Sequence, residues 1–192
     1  MAGLTPLAVS VLALLAESPM HPYEAYGVLM QRRADRLVKV RPGSLYHTVE
    51  RLARDGLVEA TGTDREGGRP ERTTYAITED GLLAMERWVR ETLANPGPEY
   101  PRFPVALAEA HNLPRSAVIE LLQSYLNAVI SDVVVGENAV EILKKKPLPE
   151  AHWVEVDYLL ALRRAERDWI ANTIHRLQTK ELSWPTQRPR RQ

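Results

Sequence analysis

Residues 41–60, RPGSLYHTVERLARDGLVEA, hold three structural signals in a row. The Pro42-Gly43 pair reads as a turn, and about three turns of helix follow from Ser44 to Asp55. Gly56 fits the left-handed residue that follows a helix end, after which the chain resumes as a short apolar strand. Leu45, Val49 and Leu52 recur at i, i+4 and i+7, so they must face inward. The outer face then carries Ser44, His47, Thr48 and Arg51, with Arg54 beyond them. A face of this kind meets water, a substrate or a phosphate backbone.

The segments before it are helical. Thr5-Pro6 reads as an N-cap followed by an N1 proline, opening a helix to Glu17 with Leu7, Val11, Leu14 and Leu15 on one face. Ser18-Pro19-Met20 interrupts it, and Pro22 opens a second helix expected to run to Arg36. A short basic connector, LVKVRPG (37–43), leads to the third. After Gly56 the hydrophobic period changes to two. LVEATG (57–62) and RTTYAIT (72–78) are candidate strands of a hairpin whose tip is rich in turn formers. Thr78 then caps a fourth helix to about Leu93, with Glu79 and Asp80 where the macrodipole favours anions.

Composition bounds the function. The 192 residues suit one or two small domains. The chain has no cysteine, which excludes disulfides and thiolate metal sites and points to the cytoplasm. No run approaches the roughly 18 consecutive apolar residues of a membrane span, so no membrane partner is expected. Formal net charge is zero, yet residues 31–54 hold seven cations (Arg32, Arg33, Arg36, Lys39, Arg41, Arg51, Arg54) against Asp35 and Glu50. Distribution rather than net charge decides whether a face attracts a polyanion.

Three helices followed by a two-stranded wing are the order of a winged helix-turn-helix. Its third helix enters the major groove, about 12 Å wide, where exposed side chains meet base edges. On this reading Ser44, His47, Thr48 and Arg51 face DNA and Lys39 adds charge beside them. Tyr46 is expected at a phosphate or partly buried. Arg65, Arg69 and Arg72 beside Gly67-Gly68 suit minor-groove or backbone contact. A basic helix face by itself is usually a solvated surface; the helix order and the wing favour DNA.

NPGPEYPRFP (95–104), with Pro96, Pro98, Pro101 and Pro104, reads as a stiff connector. The expected organisation is a winged domain over 1–95, a connector over 96–104, an all-helical dimerisation or effector domain over 105–182, and a disordered tail over 183–192. The fold class is mainly α. In the second domain Pro114 opens a long helix to about Lys146, and a last helix runs from about Ala151 to Lys180. Both are more apolar than one helical pair can bury alone, which marks Leu121, Leu122, Tyr125, Leu159, Leu160, Leu162 and Trp169 as candidate dimer contacts.

Five separated segments resemble the signature of PadR-type transcriptional regulators. They are Leu12–Ala16, MHPYEAY (20–26), RPGSLYHTVERLARDGLVEA (41–60), GGRPERTTYAITEDG (67–81) and Trp88. YLLALRRAERDWI (158–170) is similar, more loosely, to the helical domain of the longer PadR subfamily. The resemblance implies a homodimeric DNA-binding repressor whose C-terminal helices form most of the dimer contact. It places Tyr23, Ser44, Tyr46 and His47 near DNA, together with Gly68, Arg69 and Arg72 in the wing. The family often has Gly where Pro22 stands and Pro where His47 stands. The latter departure bears on which bases are read. Phenolic acids are the effectors the resemblance suggests, and the aromatic candidates near the domain junction are Trp88, Tyr100, Phe103 and Trp153.

Three rival readings remain. A metal-dependent hydrolase would need a ligand set, but His152, Glu155 and Asp157 do not share a helical face and no HExxH exists. No cofactor loop is present either, because no Gly-Lys-Ser/Thr follows Gly67-Gly68. The other rivals are a helical protein-interaction module and a constitutive DNA binder without an effector.

Overall fold

The computed structural model describes residues 3–64 and 72–185, without the side chains of Thr63, Asp64 and Arg72. These residues divide into two compact units, with the boundary after Glu99. The boundary falls inside the proline-rich stretch, and the next helix begins at Arg102. Pro104 therefore sits in a first helical turn, where a missing N–H costs nothing, and the connector ends sooner than the prolines suggest.

In the first unit α1 spans Pro6–Glu17, and the Thr5 hydroxyl accepts from the Ala8 N–H. α2 covers Pro22–Gln31, shorter than expected from the sequence. Arg33 adopts a left-handed backbone (φ 57°) that breaks the helix, and Ala34–Arg36 form a separate 3-10 turn. α3 runs Pro42–Arg54. Pro42 and Gly43 are thus its first turn rather than a turn before it, with proline at the position where its fixed φ suits a helix. Gly56 follows with φ 74°, as the reading of this stretch requires.

β1 (Val58–Asp64) and β2 (Arg72–Ile77) pair antiparallel, with Val58 opposite Ile77 and an irregularity between Ala60 and Gly62. Met20, between α1 and α2, exchanges both backbone hydrogen bonds with Tyr75, at 3.0 and 3.1 Å, and ties the wing to the helices. α4 (Glu79–Ala94) starts on Thr78, whose hydroxyl accepts from the Gly81 N–H and donates to the Gly56 carbonyl. The core of this unit joins Val11, Leu12 and Leu15 of α1 to Leu29 of α2, Leu45, Val49 and Leu52 of α3, and Val58 of β1. Burying each such side chain contributes roughly 1.5–3 kcal/mol. The unit is a winged helix-turn-helix.

The second unit is helical: α5 (Arg102–Glu109), a 30-residue α6 (Arg115–Lys144) and α7 (Val154–Gln178). Two apolar clusters lie along it. One joins Val118, Leu122, Leu126 and Val129 to Ile170, Ile174 and Leu177. The other joins Val133 and Val140 to Trp153 and Leu160. Among the described residues α6 alone is long and apolar enough to cross a membrane by length and composition. It packs instead on α7, and Asp132 and Glu137 pair with Arg163 and Arg164 across the seam. Trp184, assigned to a disordered tail from the sequence, packs on the first cluster and donates its indole N–H to the Leu113 carbonyl at 2.9 Å. Residues 186–192 of that expected tail lie outside the described residues.

Candidate nucleic-acid interface

α3 owes its orientation to its buried face. Leu45, Thr48, Val49 and Leu52 are all below a tenth exposed, so the opposite pole of the helix is Gly43, His47, Glu50 and Arg54, at i, i+4, i+7 and i+11. All four are exposed. Thr48, expected to face outward, is 8% exposed and its hydroxyl donates to the Ser44 carbonyl at 2.7 Å. A short β-branched residue at this position completes the core edge and satisfies its polar atom on its own helix.

Ser44 and Arg51 flank the pole on one side. Arg51 is half-buried, and its Nη2 donates to the Thr5 hydroxyl at 3.3 Å. The guanidinium therefore stands beside the N-terminus of α1, where orphan N–H groups add positive potential. Tyr46 flanks the other side at 38% exposure, its ring edge-on to His21 with centroids 6.1 Å apart. His21 caps α2: its Nδ1 accepts from the Tyr23 N–H at 3.1 Å, and its own N–H donates to Glu24. The adjoining Tyr23 is 67% exposed. Tyr23 and Tyr46 thus belong to neighbouring helices bridged by one imidazole.

On the pole itself, His47 Nδ1 lies 3.4 Å from Glu50 Oε2, with both side chains mostly exposed. Arg54 approaches Asp55 only at 4.0 Å. A shallow depression is lined by His47, Thr48, Glu50, Arg51 and Arg54. The sequence put Arg54 on the outer face without choosing it as a contact, and it did not place Glu50 there at all, because that position depends on which flank the core occupies. Lys39 is exposed in the connector before α3. Gly68 and Arg69 lie outside the described residues, and of Arg72 only the backbone is described, at the start of β2.

The residues expected at a dimer contact separate into three sets. Leu122 and Leu160 are 5% and 4% exposed inside their own chain, so they hold α6 against α7 and are not free for a partner. Leu121, Leu162 and Trp169 are about half exposed or more. Leu159 is half-buried. Tyr125 is also half-buried and donates its hydroxyl to Glu166 at 2.8 Å, while Arg163 grips the same carboxylate. Burial, then the Glu166 hydrogen bond, push the Tyr125 phenol above its ordinary range.

The four aromatic effector candidates are not one cluster. Phe103 packs on Tyr125 with centroids 4.8 Å apart, in the first apolar cluster of the second unit. Trp153 is buried in the other cluster, and its indole N–H has no hydrogen-bond partner. Tyr100 is 88% exposed, and Trp88 is half-buried on α4. Among the described residues no group of three His, Asp or Glu side chains could hold a metal.

Comparison with known proteins agrees with this architecture. Residues 11–87 match the model of the transcriptional regulator PadR-like family. The fold is shared with Bacillus subtilis PadR in complex with operator DNA, at 15% identity and a TM-score of 0.76, over 90% of this chain and 99% of that one. The same Bacillus subtilis protein in complex with p-coumaric acid aligns at 14% identity and a TM-score of 0.74, over 90% and 98%. A Streptococcus mutans UA159 protein aligns at 20% identity and a TM-score of 0.66, over 90% and 99%. No curated protein matches the chain.

Proposed function

Since this chain is a member of the PadR-like family of transcriptional regulators, we propose that it acts in the cytoplasm as a homodimer on operator DNA. In this reading it represses transcription and is released by a small aromatic effector. Its class is a regulator, not an enzyme. The observation that carries the DNA reading is the outer pole of α3. Four exposed positions in one stripe stand clear of the core, flanked by Arg51 at the α1 N-terminus and by Tyr46. A stripe of polar and charged groups, with a guanidinium at one edge and a phenol at the other, fits the division between base and phosphate contacts. The operator bound to the Bacillus subtilis relative supports the same use of this fold.

The dimer reading rests on apolar side chains left uncovered on α6 and α7. Leu121, Ile130, Val134, Tyr158, Leu162 and Trp169 are all between 42% and 61% exposed, more than a water-facing helical pair ordinarily displays. The effector reading is supported by the p-coumaric acid bound to the Bacillus subtilis relative. One observation favours the alternative, a constitutive regulator. Phe103 and Trp153 sit in separate apolar clusters rather than around one space.

The test is a gel shift at moderate salt using DNA from upstream of the chain's own gene, with and without aromatic acids. Specific retardation that p-coumarate reverses supports the full reading. Retardation that no aromatic acid alters selects the constitutive alternative. Equal retardation of all DNA contradicts operator recognition.

A further inference from the structure

The DNA-facing pole of α3 carries one anion, which general attraction to phosphate does not explain. Glu50 is 68% exposed at its side chain, between His47 one turn before it and Arg54 one turn after. Facing a phosphate backbone, a carboxylate is repelled, so it weakens binding to arbitrary DNA. Nor does it hold the fold together: its pair with His47 is an exposed i, i+3 contact of 3.4 Å, a class that contributes little to stability. What a carboxylate does in a major groove is accept from the exocyclic amino group of cytosine; guanine and thymine present no such donor there, and in adenine the donor stands beside the N7 acceptor, which repels the second carboxylate oxygen.

We infer that Glu50 is a specificity-determining residue that selects a cytosine in each operator half-site, with the His47 imidazole beside it as its positioning partner. This rests on the DNA-binding reading above. Arg54 and Arg51 flank the carboxylate within the same depression and offset its repulsion from the backbone. Arg51, directed at Thr5, leaves the centre of the stripe to His47 and Glu50. Glu50 thus costs general affinity and supplies discrimination.

The experiment is selection from a pool of duplexes with randomised positions, using the full chain and its Glu50→Ala and Glu50→Gln variants. Wild type is expected to enrich a cytosine at one position of each half-site. Glu50→Ala should lower that preference about tenfold or more while binding unselected DNA more tightly. Glu50→Gln should move the preference at the same position towards adenine, because an amide pairs with adenine N6 and N7. A purely structural role would not produce that switch. Retention of the wild-type base preference by both variants overturns the inference and leaves the DNA reading standing. A wild-type chain that enriches no sequence overturns both.

Discussion

Arg51 and Thr5 are 46 residues apart in sequence, yet the arginine Nη2 donates to the threonine hydroxyl at 3.3 Å. The same hydroxyl caps α1 by accepting from the Ala8 N–H. One side chain thus links the end of α3 to the start of α1. It holds a guanidinium where two sources of positive potential coincide, the charge itself and the α1 N-terminus. Such a place suits a phosphate oxygen better than a base edge.

Replacing Arg51 with alanine is therefore expected to weaken binding to all DNA sequences alike, with base preference unchanged. The slope of log affinity against log salt should fall by about 1, the signature of one lost phosphate contact. Fluorescence anisotropy across a salt series measures both. An unchanged slope with altered base preference would place Arg51 at a base instead.

Gly81, in the first turn of α4, is expected to resist the most conservative change. A Cβ there would overlap the Leu57 carbonyl oxygen and press on Ile77 Cγ1 at 2.9 Å. The obstacle is backbone, which cannot rotate away. Gly81→Ala should destabilise the winged unit by about 1–3 kcal/mol, although alanine is the better helix former. Urea denaturation compares the two. A gain in stability would mean that the strand-to-helix corner is more open than this packing.

Tyr125 makes the second unit sensitive to alkali. Burial and the Glu166 contact raise its folded pKa above the ordinary 10.0. Stability from the neutral phenol is then fully present below that ordinary value and is lost as pH rises through the folded one. Tyr125→Phe should be less stable than wild type at neutral pH, through the lost hydrogen bonds. The difference should begin to shrink above about pH 10, where the phenol of the unfolded chain ionises, and be lost as the folded phenol follows. Thermal unfolding of both proteins from pH 7 to 11 reads this directly, and a constant difference would contradict it.

Self-association is expected to depend on the uncovered faces of α6 and α7. Leu121→Glu or Trp169→Glu places a charge where the wild type is 60% or 48% exposed, leaving the fold of the unit intact. Sedimentation should show a dimer for wild type and a shift towards monomer for either variant. A variant that stays fully dimeric would move the interface elsewhere.

How much of this was legible in the sequence follows from what each signal depends on. Thr5-Pro6, Thr78 and Gly56 mark element ends by local chemistry, and each stands where that chemistry requires. Leu45, Val49 and Leu52 gave the inward face of α3 for a similar reason, since three bulky apolar groups leave one choice. Thr48 was misassigned because a small amphipathic residue at the edge of the core is compatible with either side. Only the packing against α1 and α2 decides it. Moving the core edge by that one residue turned the centre of the outer face away from Ser44 and Arg51, towards Glu50 beside His47 and Arg54. Leu122 and Leu160 failed in the same way: hydrophobicity marks a side chain for burial but does not say against which helix. The break at Arg33 carries no glycine or proline, so no local residue announced it.

The absence of cysteine allows the central claim, that α3 lies in the major groove of both half-sites, to be measured with one tether. Gly43 begins the outer stripe, and a Cβ there meets nothing within 4 Å, so Gly43→Cys adds a single exposed thiol. An iron chelate attached to it cleaves DNA by hydroxyl radicals near its site. With the DNA fragment that the chain binds most tightly, cleavage is expected in two clusters. Their centres should lie about 34–36 Å apart or a multiple of that, one for each subunit of the dimer. Cleavage scattered evenly along the fragment, or none while the DNA remains bound, would contradict it.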